Sequence, residues 1–406
     1  MNNKKTILFI GTYAASEYLN ILVANKTYTQ LAANQTQKYY LNGLSKHFDY
    51  VNVLSALSLP SYPRCPDLLI KPNVEHDDNI IVENVSFINL PIIRFISQFK
   101  SIYSLIKKSN QHDHFKSNVV IVYSMRLPYY FAARYIKKLN PDVKLINIVP
   151  DLPQYMHTEK KFSIKKLKST LNQVLLLKLS SIFDGYVLYS KYMREILNCD
   201  EKNSIVIEGI ISSNNHIKPS KVKNINTSKK IVLYAGGIIK EYGIENLVYG
   251  FIKSNIKNAE LHLYGSGPYT QELSEICKDY TCIKYFGLVA PHEVKQRISE
   301  ATLLVNPRPS HNEFTKYSCP SKTLEYMASG VPLLMTRLDG VPKEYYDYVY
   351  TIEDESIEGI STDLKKILNK SRSERLKKGC KAREFILSNK TEEVQTSKLL
   401  SFIDKL

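Results

Sequence analysis

The sequence of 406 residues contains no tryptophan, only six cysteines and no long uninterrupted apolar stretch. Without a run of about 20 apolar residues, no segment is expected to cross a bilayer as a helix. The cysteines stand singly with no C-x-x-C pair, which argues against a disulfide framework and against a zinc site. We expect reduced thiols, and we expect Cys319 to serve packing because no histidine pattern accompanies it.

Acidic residues are also scarce, with 39 Asp and Glu against 55 Lys and Arg and a net charge of +16. Such an excess favours polyanions, which include nucleic acid, acidic lipid headgroups and phosphorylated substrates. A nucleic-acid site would combine basic residues with stacking aromatics, but the 29 tyrosines are spread along the chain. We therefore expect no nucleic-acid partner.

Short β-rich runs alternate with longer helical or polar segments throughout the chain. They are KTILFIG, YVNVLSAL, NVSFINL, NVVIVYS, VKLINIV, GYVLYS and SIVIEGI, followed by KIVLYAGG, AELHLYG, TCIKYFG, ATLLVNP, VPLLMT and YVYTI. A polar, basic stretch at 212–228 separates the two series and is the expected linker. The pattern predicts an α/β protein of two doubly wound domains, 1–212 and 213–388, with ligands at the carboxyl ends of strands.

A polar loop and a short helix follow the strand that ends near residue 306. Ser321 or its neighbour is expected to cap this helix, and Gly330 suits the left-handed position after its end. Free backbone N–H groups and the positive end of the helix favour an anion there. Arg308 and Lys322 add fixed positive charge beside the loop.

Glu325 lies about one turn into the same helix, where its carboxylate can accept hydrogen bonds from a vicinal diol. A diphosphate joined to a ribose is the ligand that these parts suggest.

The run SKTLEYMASGVPLL resembles the nucleotide-sugar motif of family 4 glycosyltransferases. That family is retaining and has the GT-B fold, in which two Rossmann-like domains face a central cleft. The resemblance implies that Glu325 holds the donor ribose and that Ser321, Lys322 and Thr323 lie at the phosphates. It covers most of 228–345, and more loosely it implies that a final helix, 389–406, packs back on the N-terminal domain.

Three further segments resemble the family's donor loops in the family's order: YAGGIIKEYGIENL, LYGSGPYTQEL and YFGLVAPHEV. Together with the motif helix, the resemblance implies the following donor-binding residues: Gly236, Gly237, Lys240, Gly265, Gly267, Leu288, Glu313, Tyr317, Ser318, Ser321, Thr323, Leu324 and Glu325. No metal or cofactor is expected, because the dinucleotide fingerprint, a P-loop and an Asp-x-Asp element are all missing.

The sequence departs from the family pattern at two places. A second Glu usually stands eight positions before Glu325, where this chain has Tyr317, and Glu313 is the nearest acid. A basic pair of the first donor loop is replaced by Ile238 and Tyr242, with Lys240 between them. Arg308 and Lys322 are therefore the expected catalytic cations that balance the charge leaving with the diphosphate.

Asp151 is the third residue that we expect to be catalytic. It follows a strand of the N-terminal half, where it either orients the acceptor hydroxyl or caps a turn before Pro153. Further candidates for the acceptor site are Glu17, Gln37, Tyr62, Arg64 and Arg126.

Two segments of the N-terminal half combine an apolar stripe with lysines, as an interfacial helix on an anionic leaflet does. The stripe of the first is Ile92, Phe95, Ile96, Phe99, Ile102, Tyr103 and Ile106. The second carries lysines over Lys160–Lys168 and a stripe of Ile164, Leu167, Leu171 and Val174. In each case the alternative is that the stripe faces the protein core.

We therefore expect a cytoplasmic glycosyltransferase at the inner face of a bacterial membrane. Its expected donor is a UDP-sugar, and its expected acceptor is a lipid-linked glycan of capsule or exopolysaccharide synthesis. Tyr317 and the missing basic pair motivate one alternative, a catalytically silent partner of another transferase. A peripheral membrane protein that binds polyanions and has no donor site is the other.

Overall fold

We describe the protein from a computed structural model, in which residues 5–25, 30–109, 117–153, 164–213 and 229–406 are described. The chain divides into two compact units. The first unit is Met1–Ile210 with Glu392–Leu406, and the second is Ile211–Thr391. The expected borders after residues 212 and 388 lie within a few residues of this division, and most of the expected linker at 212–228 lies outside the described residues.

The first unit is built on an eight-stranded sheet in the order β10-β9-β8-β7-β1-β2-β5-β4. Its neighbouring strands are parallel, except that β4 and β5 are antiparallel. The strands are β1 Thr6–Gly11, β2 Tyr50–Ser55, β4 Asn73–Asp77, β5 Ile80–Asn84, β7 Val119–Tyr123, β8 Lys144–Val149, β9 Gly185–Leu188 and β10 Ser204–Val206. The short strands β3 Leu69–Ile70 and β6 Phe87–Ile88 form a separate antiparallel pair.

Helices cover this sheet and include the C-terminal helix of the chain. They are α1 Ser16–Ala24, α2 Leu31–Ser45, α3 Ile93–Ser109, α4 Leu127–Leu139, α5 Ile164–Ser180, α6 Met193–Leu197 and α13 Glu392–Ile403. Gly43 of α2 allows α13 to approach, because a Cβ at Gly43 would lie 2.0 Å from Oγ1 of Thr396. The Lys144 ammonium donates to the carbonyl of Ile403 at 2.9 Å, which also holds the C-terminal segment on this unit.

One predicted strand of the first unit was wrong. NVSFINL was expected in the main sheet, but its β6 portion pairs with β3, and β5 takes the place beside β2. The sequence pattern concealed β4 because this strand is polar and largely exposed, as an edge strand can be.

The second unit is a six-stranded parallel sheet in the order β13-β12-β11-β14-β15-β16. Its strands are β11 Lys230–Ala235, β12 Ala259–Tyr264, β13 Ile283–Gly287, β14 Leu303–Asn306, β15 Leu333–Thr336 and β16 Tyr350–Ile352. All six lie within the runs predicted for the C-terminal half. Its helices are α7 Ile244–Ser254, α8 Thr270–Asp279, α9 Pro291–Glu300, α10 Ser321–Ser329, α11 Ile357–Leu368 and α12 Arg372–Asn389.

Alternate residues of these strands enter two apolar clusters, because successive side chains of a strand point to opposite faces. Val232 and Tyr234 of β11 belong to one cluster, and Leu233 and Ala235 belong to the other. Cys319 is buried in the second cluster, which agrees with a packing role. Strand β11 is therefore covered on both faces, and the loops at the carboxyl ends of the strands are left for a ligand.

The predicted apolar stripe of α3 divides into a packed part and an exposed part. Ile102 and Ile106 are buried. Phe95 and Phe99 have ring contacts with Phe131 of α4, with ring centroids 6.4 and 5.7 Å apart. Ile92 and Ile96 are exposed at 72% and 47%. The C-terminal half of the stripe therefore packs in the core, as the alternative expects, and the exposed apolar side chains lie mainly toward its N-terminal end.

The stripe of α5 is exposed where its side chains are described, at Leu171 and Val174. The side chains of Ile164 and Leu167 and those of Lys160–Lys168 lie outside the described residues. No helix in the described part of the chain is both long and apolar enough to span a membrane.

Candidate functional site

Three loops meet at the carboxyl ends of β11, β12 and β13. The Gly236 amide donates to the Tyr264 carbonyl at 3.0 Å, and the Ile238 amide donates to the Ser266 carbonyl at 3.0 Å. The Gly265 amide donates to the Gly287 carbonyl at 2.8 Å. These backbone bonds join the three predicted donor loops into one surface.

The glycines of these loops allow the backbones to approach one another. Gly265 has a φ of +126°, and a Cβ there would lie 1.9 Å from the Gly236 carbonyl oxygen. A Cβ at Gly267 would lie 2.3 Å from the Ile238 carbonyl oxygen. The Tyr234 hydroxyl donates to the Gly237 carbonyl at 3.0 Å and fixes the first loop. The four predicted glycines therefore lie together, and contact between loops already requires two of them.

Helix α10 begins beside this surface without a side-chain cap. Of the two expected positions, Ser321 and its neighbour, the N-cap is the neighbour Pro320, which makes no side-chain capping bond; Ser321 is the first helical residue. The amide of Thr323 donates to the Pro320 carbonyl at 2.8 Å. The first amides of a helix have no intrahelical acceptor, so those of Ser321 and Lys322 remain for a ligand. Gly330 ends the helix with a φ of +78°, which confirms its predicted left-handed role.

Buried contacts fix the position of α10. Thr323 is fully buried, and its hydroxyl accepts from the Asn306 side-chain amide at 3.2 Å. Leu324 is 2% exposed and packs in the core. The Tyr326 hydroxyl accepts from the Ala235 amide at 2.7 Å, which ties α10 to the end of β11. Thr323 and Leu324 therefore position the helix with their side chains.

Two charged side chains of α10 reach solvent. The Lys322 ammonium lies 2.7 Å from the Glu325 carboxylate, and the two side chains are 39% and 46% exposed. The residues expected at the phosphate and at the ribose are thus adjacent, on the accessible side of the helix.

Arg308 is held by two aromatic rings. Its guanidinium carbon lies 4.2 Å from the ring centroid of Tyr242 and 5.5 Å from that of Phe314. Its Nε is buried and has no hydrogen-bond partner in the described part of the chain. Cation–π contacts of this kind fix a planar guanidinium and leave its charge in place. Sequence reasoning missed both rings; Tyr242 was seen there only as a lost basic residue.

Lys240 is paired with carboxylates. Its ammonium lies 2.6 Å from Glu272 and 3.1 Å from Glu245. The hydrogen bond to Glu272, and then that to Glu245, raises the pKa of Lys240. The lysine is therefore charged, but its charge is balanced by protein groups.

The remaining predicted donor residues lie at the rim of the loops. Leu288 follows β13 and is 77% exposed. Glu313 is exposed at the start of a 3₁₀ turn that ends at Tyr317, whose side chain is 9% exposed. The Ser318 hydroxyl donates to the Phe314 carbonyl at 3.3 Å.

The predicted acceptor residues belong to the first unit. Asp151 is exposed two residues after β8. Gln37 is fully buried, and its side-chain carbonyl accepts from the Thr12 amide at 2.9 Å, so it stabilises the loop after β1. Glu17, Tyr62 and Arg64 are exposed.

Residues 217–384 match the family model described as glycosyl transferases group 1. The match covers most of the second unit, where the donor loops and α10 lie, and it confirms the expectation of a glycosyltransferase. No curated protein sequence matches the chain.

Solved structures show the fold. Sucrose-phosphate synthase from Thermosynechococcus elongatus is 13% identical, with a TM-score of 0.63, and 98% of each chain is covered. The lipopolysaccharide outer core galactosyltransferase WaaB is 14% identical, with a TM-score of 0.61 over 99% of this chain and 100% of that one. A point mutant of S. aureus TarM, in complex with fondaparinux, alpha-GlcNAc-glycerol and UDP, is 16% identical, with a TM-score of 0.54 over 79% of this chain and 60% of that one. The predicted GT-B fold is confirmed.

Proposed function

We propose that the chain transfers a sugar from a nucleotide-diphosphate sugar to a lipid-linked glycan acceptor in bacterial surface-polysaccharide synthesis. The observation that carries the proposal is the uncapped start of α10, with Lys322 and Glu325 exposed one turn apart. An anion at the helix start would receive the amides of Ser321 and Lys322, and a ribose would lie within reach of Glu325.

The proposed transfer depends on stabilising the charge of the leaving diphosphate. Backbone amides at the start of α10, the Lys322 ammonium and the Arg308 guanidinium supply positive charge that is already oriented. We propose that this set acts without a metal ion. The configuration at the anomeric carbon is retained, as the family resemblance implies, and Asp151 orients the acceptor hydroxyl.

Two of the similar structures support the donor and the pathway of this proposal. The TarM mutant was solved with UDP, which agrees with a UDP-sugar donor. WaaB is a lipopolysaccharide outer core galactosyltransferase, which agrees with a polysaccharide pathway. Attachment to the inner face of the cell membrane would bring the enzyme to a lipid-linked acceptor, and the exposed Leu171 and Val174 of α5 suit such a surface.

The test is turnover by the purified protein with UDP-, GDP- and dTDP-sugars, each with and without a lipid-linked acceptor. We expect release of the nucleoside diphosphate from one donor class, at the same rate in the presence of EDTA. If no donor turns over under any condition, the proposal is contradicted, and the silent-partner alternative is favoured.

A further inference from the structure

The first unit contains a pocket of about 310 Å³ at which α3, α4 and α5 meet. Its polar lining comes from Ser61, Arg94, Gln98 and Arg126, and its apolar lining includes Ile92 and Phe95. Asn172 of α5 also lines it. None of these residues belongs to the donor loops, so the pocket is a separate feature of the molecule.

The two arginines bring positive charge into the pocket without a carboxylate to balance it. Arg94 donates to the Leu59 carbonyl at 2.8 Å and to the Ser61 hydroxyl at 2.6 Å. Burial, and then the charge of Arg126, lowers the pKa of Arg94. Across the described ranges, no acidic side chain forms an ion pair with either arginine. Two like charges in a partly buried site favour a bound anion.

Arg126 is oriented by neutral groups. It donates to the Ala56 carbonyl at 3.1 Å and to the Tyr129 hydroxyl at 2.8 Å. A weaker bond of 3.4 Å reaches the Gln98 side-chain carbonyl. The Nε of Arg94 is buried and has no acceptor among the residues that the structure describes. Both guanidiniums therefore have fixed orientations, and the bonds above leave some of their terminal N–H groups for a phosphate in the pocket.

Exposed apolar side chains lie in the pocket and next to its lining residues along the chain. Ile92 lines the pocket and is 72% exposed, and Ile96 lies one helical turn further along α3 at 47%. Leu171 of α5, beside Asn172 in the sequence, is 63% exposed. A cationic pocket with an exposed apolar side chain in its lining, and others on the helices that form it, suits a ligand that carries both an anion and a hydrocarbon chain.

We propose that this pocket binds the phosphate of a phosphorylated lipid. Arg94 and Arg126 bind the phosphate, and the lipid chain lies against Ile92, Ile96 and Leu171. The proposal rests on the proposed function, since it names the part of the acceptor that the first unit would recognise. It also gives Arg126, a predicted acceptor residue, a specific role.

The test uses the full chain without nucleotide and farnesyl phosphate below its micelle concentration. Isothermal titration should show binding of farnesyl phosphate that is at least roughly tenfold tighter than that of farnesol or of inorganic phosphate. Arg126→Gln should weaken the binding of farnesyl phosphate roughly tenfold, because it removes a charged donor. Lys100→Gln, which removes the same charge from an exposed position on α3, should leave it unchanged.

A second variant tests the apolar part and avoids the buried arginines. Ile92 has a φ of +69°, which asparagine tolerates, so Ile92→Asn should keep the fold. This variant should bind farnesyl phosphate severalfold more weakly, and its affinity for inorganic phosphate should be unchanged. Equal affinity for inorganic phosphate and farnesyl phosphate would identify a free-phosphate site and overturn the lipid part. Unchanged binding in Arg126→Gln would overturn the whole proposal.

The two proposals can fail separately. UDP binding at the second unit should be the same in Arg126→Gln as in the unaltered chain. If the unaltered chain binds farnesyl phosphate but turns over no donor, only the proposed function is contradicted.

Discussion

At the scale of single residues, Lys322 and Glu325 are the charged side chains that would let the uncapped start of α10 bind a nucleotide diphosphate. The two side chains form an exposed pair one turn into α10. Exposed pairs of this kind contribute about 1 kcal/mol or less to stability, because water and salt screen them. A bound diphosphate would draw the ammonium to itself and leave the carboxylate for the ribose. The pair would therefore contribute more to binding of the donor than to stability of the fold.

The first prediction concerns this pair. Glu325→Ala and Lys322→Ala should each lower kcat/KM roughly 100-fold, because each removes a contact to the donor. The midpoint of thermal unfolding should change little, as the pair is exposed. Steady-state kinetics with the best donor, beside a thermal melt of each variant, measures both effects.

The chain supplies a matched control for that experiment. Lys278 and Glu275 of α8 form an exposed pair of the same spacing at the same 2.7 Å. Lys278→Ala should leave both the kinetics and the melt unchanged. Wild-type rates in both α10 variants would remove the assignment of the site to this helix.

The second prediction concerns Gly265. Gly265→Ala should destabilise the protein by about 1–3 kcal/mol and abolish donor binding, because it combines a φ of +126° with a clash against the Gly236 carbonyl. Gly287→Ala is the control, since its φ is also positive but its Cβ would meet nothing closer than 4.0 Å. Chemical denaturation measures the stability of the two variants, and nucleotide titration measures their donor binding; both losses should be larger in Gly265→Ala. Equal losses in both variants would mean that backbone strain alone, without the clash, explains the glycine.

At the scale of elements, the loop after β14 carries Arg308 against rings from two segments of the second unit. Tyr242 precedes α7, and Phe314 lies in the 3₁₀ turn of Glu313–Tyr317. Because the guanidinium is flat, both rings can hold it while it faces an oxygen ligand. The flat shape of the guanidinium therefore matters at this position as well as its positive charge.

The third prediction follows from that geometry. Arg308→Lys keeps the charge but loses the planar stacking, so kcat should fall roughly tenfold while thermal stability changes by less than about 1 kcal/mol. Arg337→Lys is the control, since Arg337 also lies over a tyrosine ring, at 4.9 Å from the centroid of Tyr346, and is exposed. A normal kcat in Arg308→Lys would contradict a role for the oriented guanidinium.

The sequence predicts the second unit better than the first for a physical reason. Strands of a mostly buried parallel sheet are rich in apolar residues, and all six of the second unit, including the half-exposed edge strand β13, lie in runs that the sequence marks. Strand β4 of the first unit is polar and exposed at a sheet edge, so no apolar run marks it. The sequence left two alternatives open for the stripe of α3, because a periodic pattern does not distinguish packing on Phe131 from contact with a membrane.

The candidate site was predictable where backbone geometry determines it. The order of glycine loops and the start of α10 follow from local residue types. Contacts between distant segments do not, and so the aromatic cradle of Arg308 and the carboxylates around Lys240 were missed. Ser321 or its neighbour was expected as the cap because serine is common there; the neighbour Pro320 takes the position, and its side chain cannot accept a bond from the helix amides.

At the scale of the whole molecule, the chain combines a net positive charge with exposed apolar side chains on one helix. The net charge is +16, and the first unit exposes Leu171, Val174 and Leu175 on α5. Charge attracts an anionic surface over roughly 10 Å at 0.1 M salt, and apolar contact then adds to it.

The fourth prediction is that vesicles containing phosphatidylglycerol bind the protein and that binding weakens as salt is raised. Leu171→Ser should weaken it roughly tenfold by removing apolar contact. Leu376→Ser, at an exposed leucine of α12 in the second unit, should have no effect. Vesicle sedimentation measures all three, and equal binding to neutral phosphatidylcholine vesicles would contradict the electrostatic part.

The most direct test of the central claim is a crystal structure of the protein with UDP. The diphosphate should accept hydrogen bonds from the Ser321 and Lys322 amides, with Lys322 turned from Glu325 toward it and the ribose at Glu325. Arg308 should keep its place between Tyr242 and Phe314 and face the phosphates. A diphosphate bound away from the start of α10, or an Arg308 side chain turned away from it, would contradict the claim.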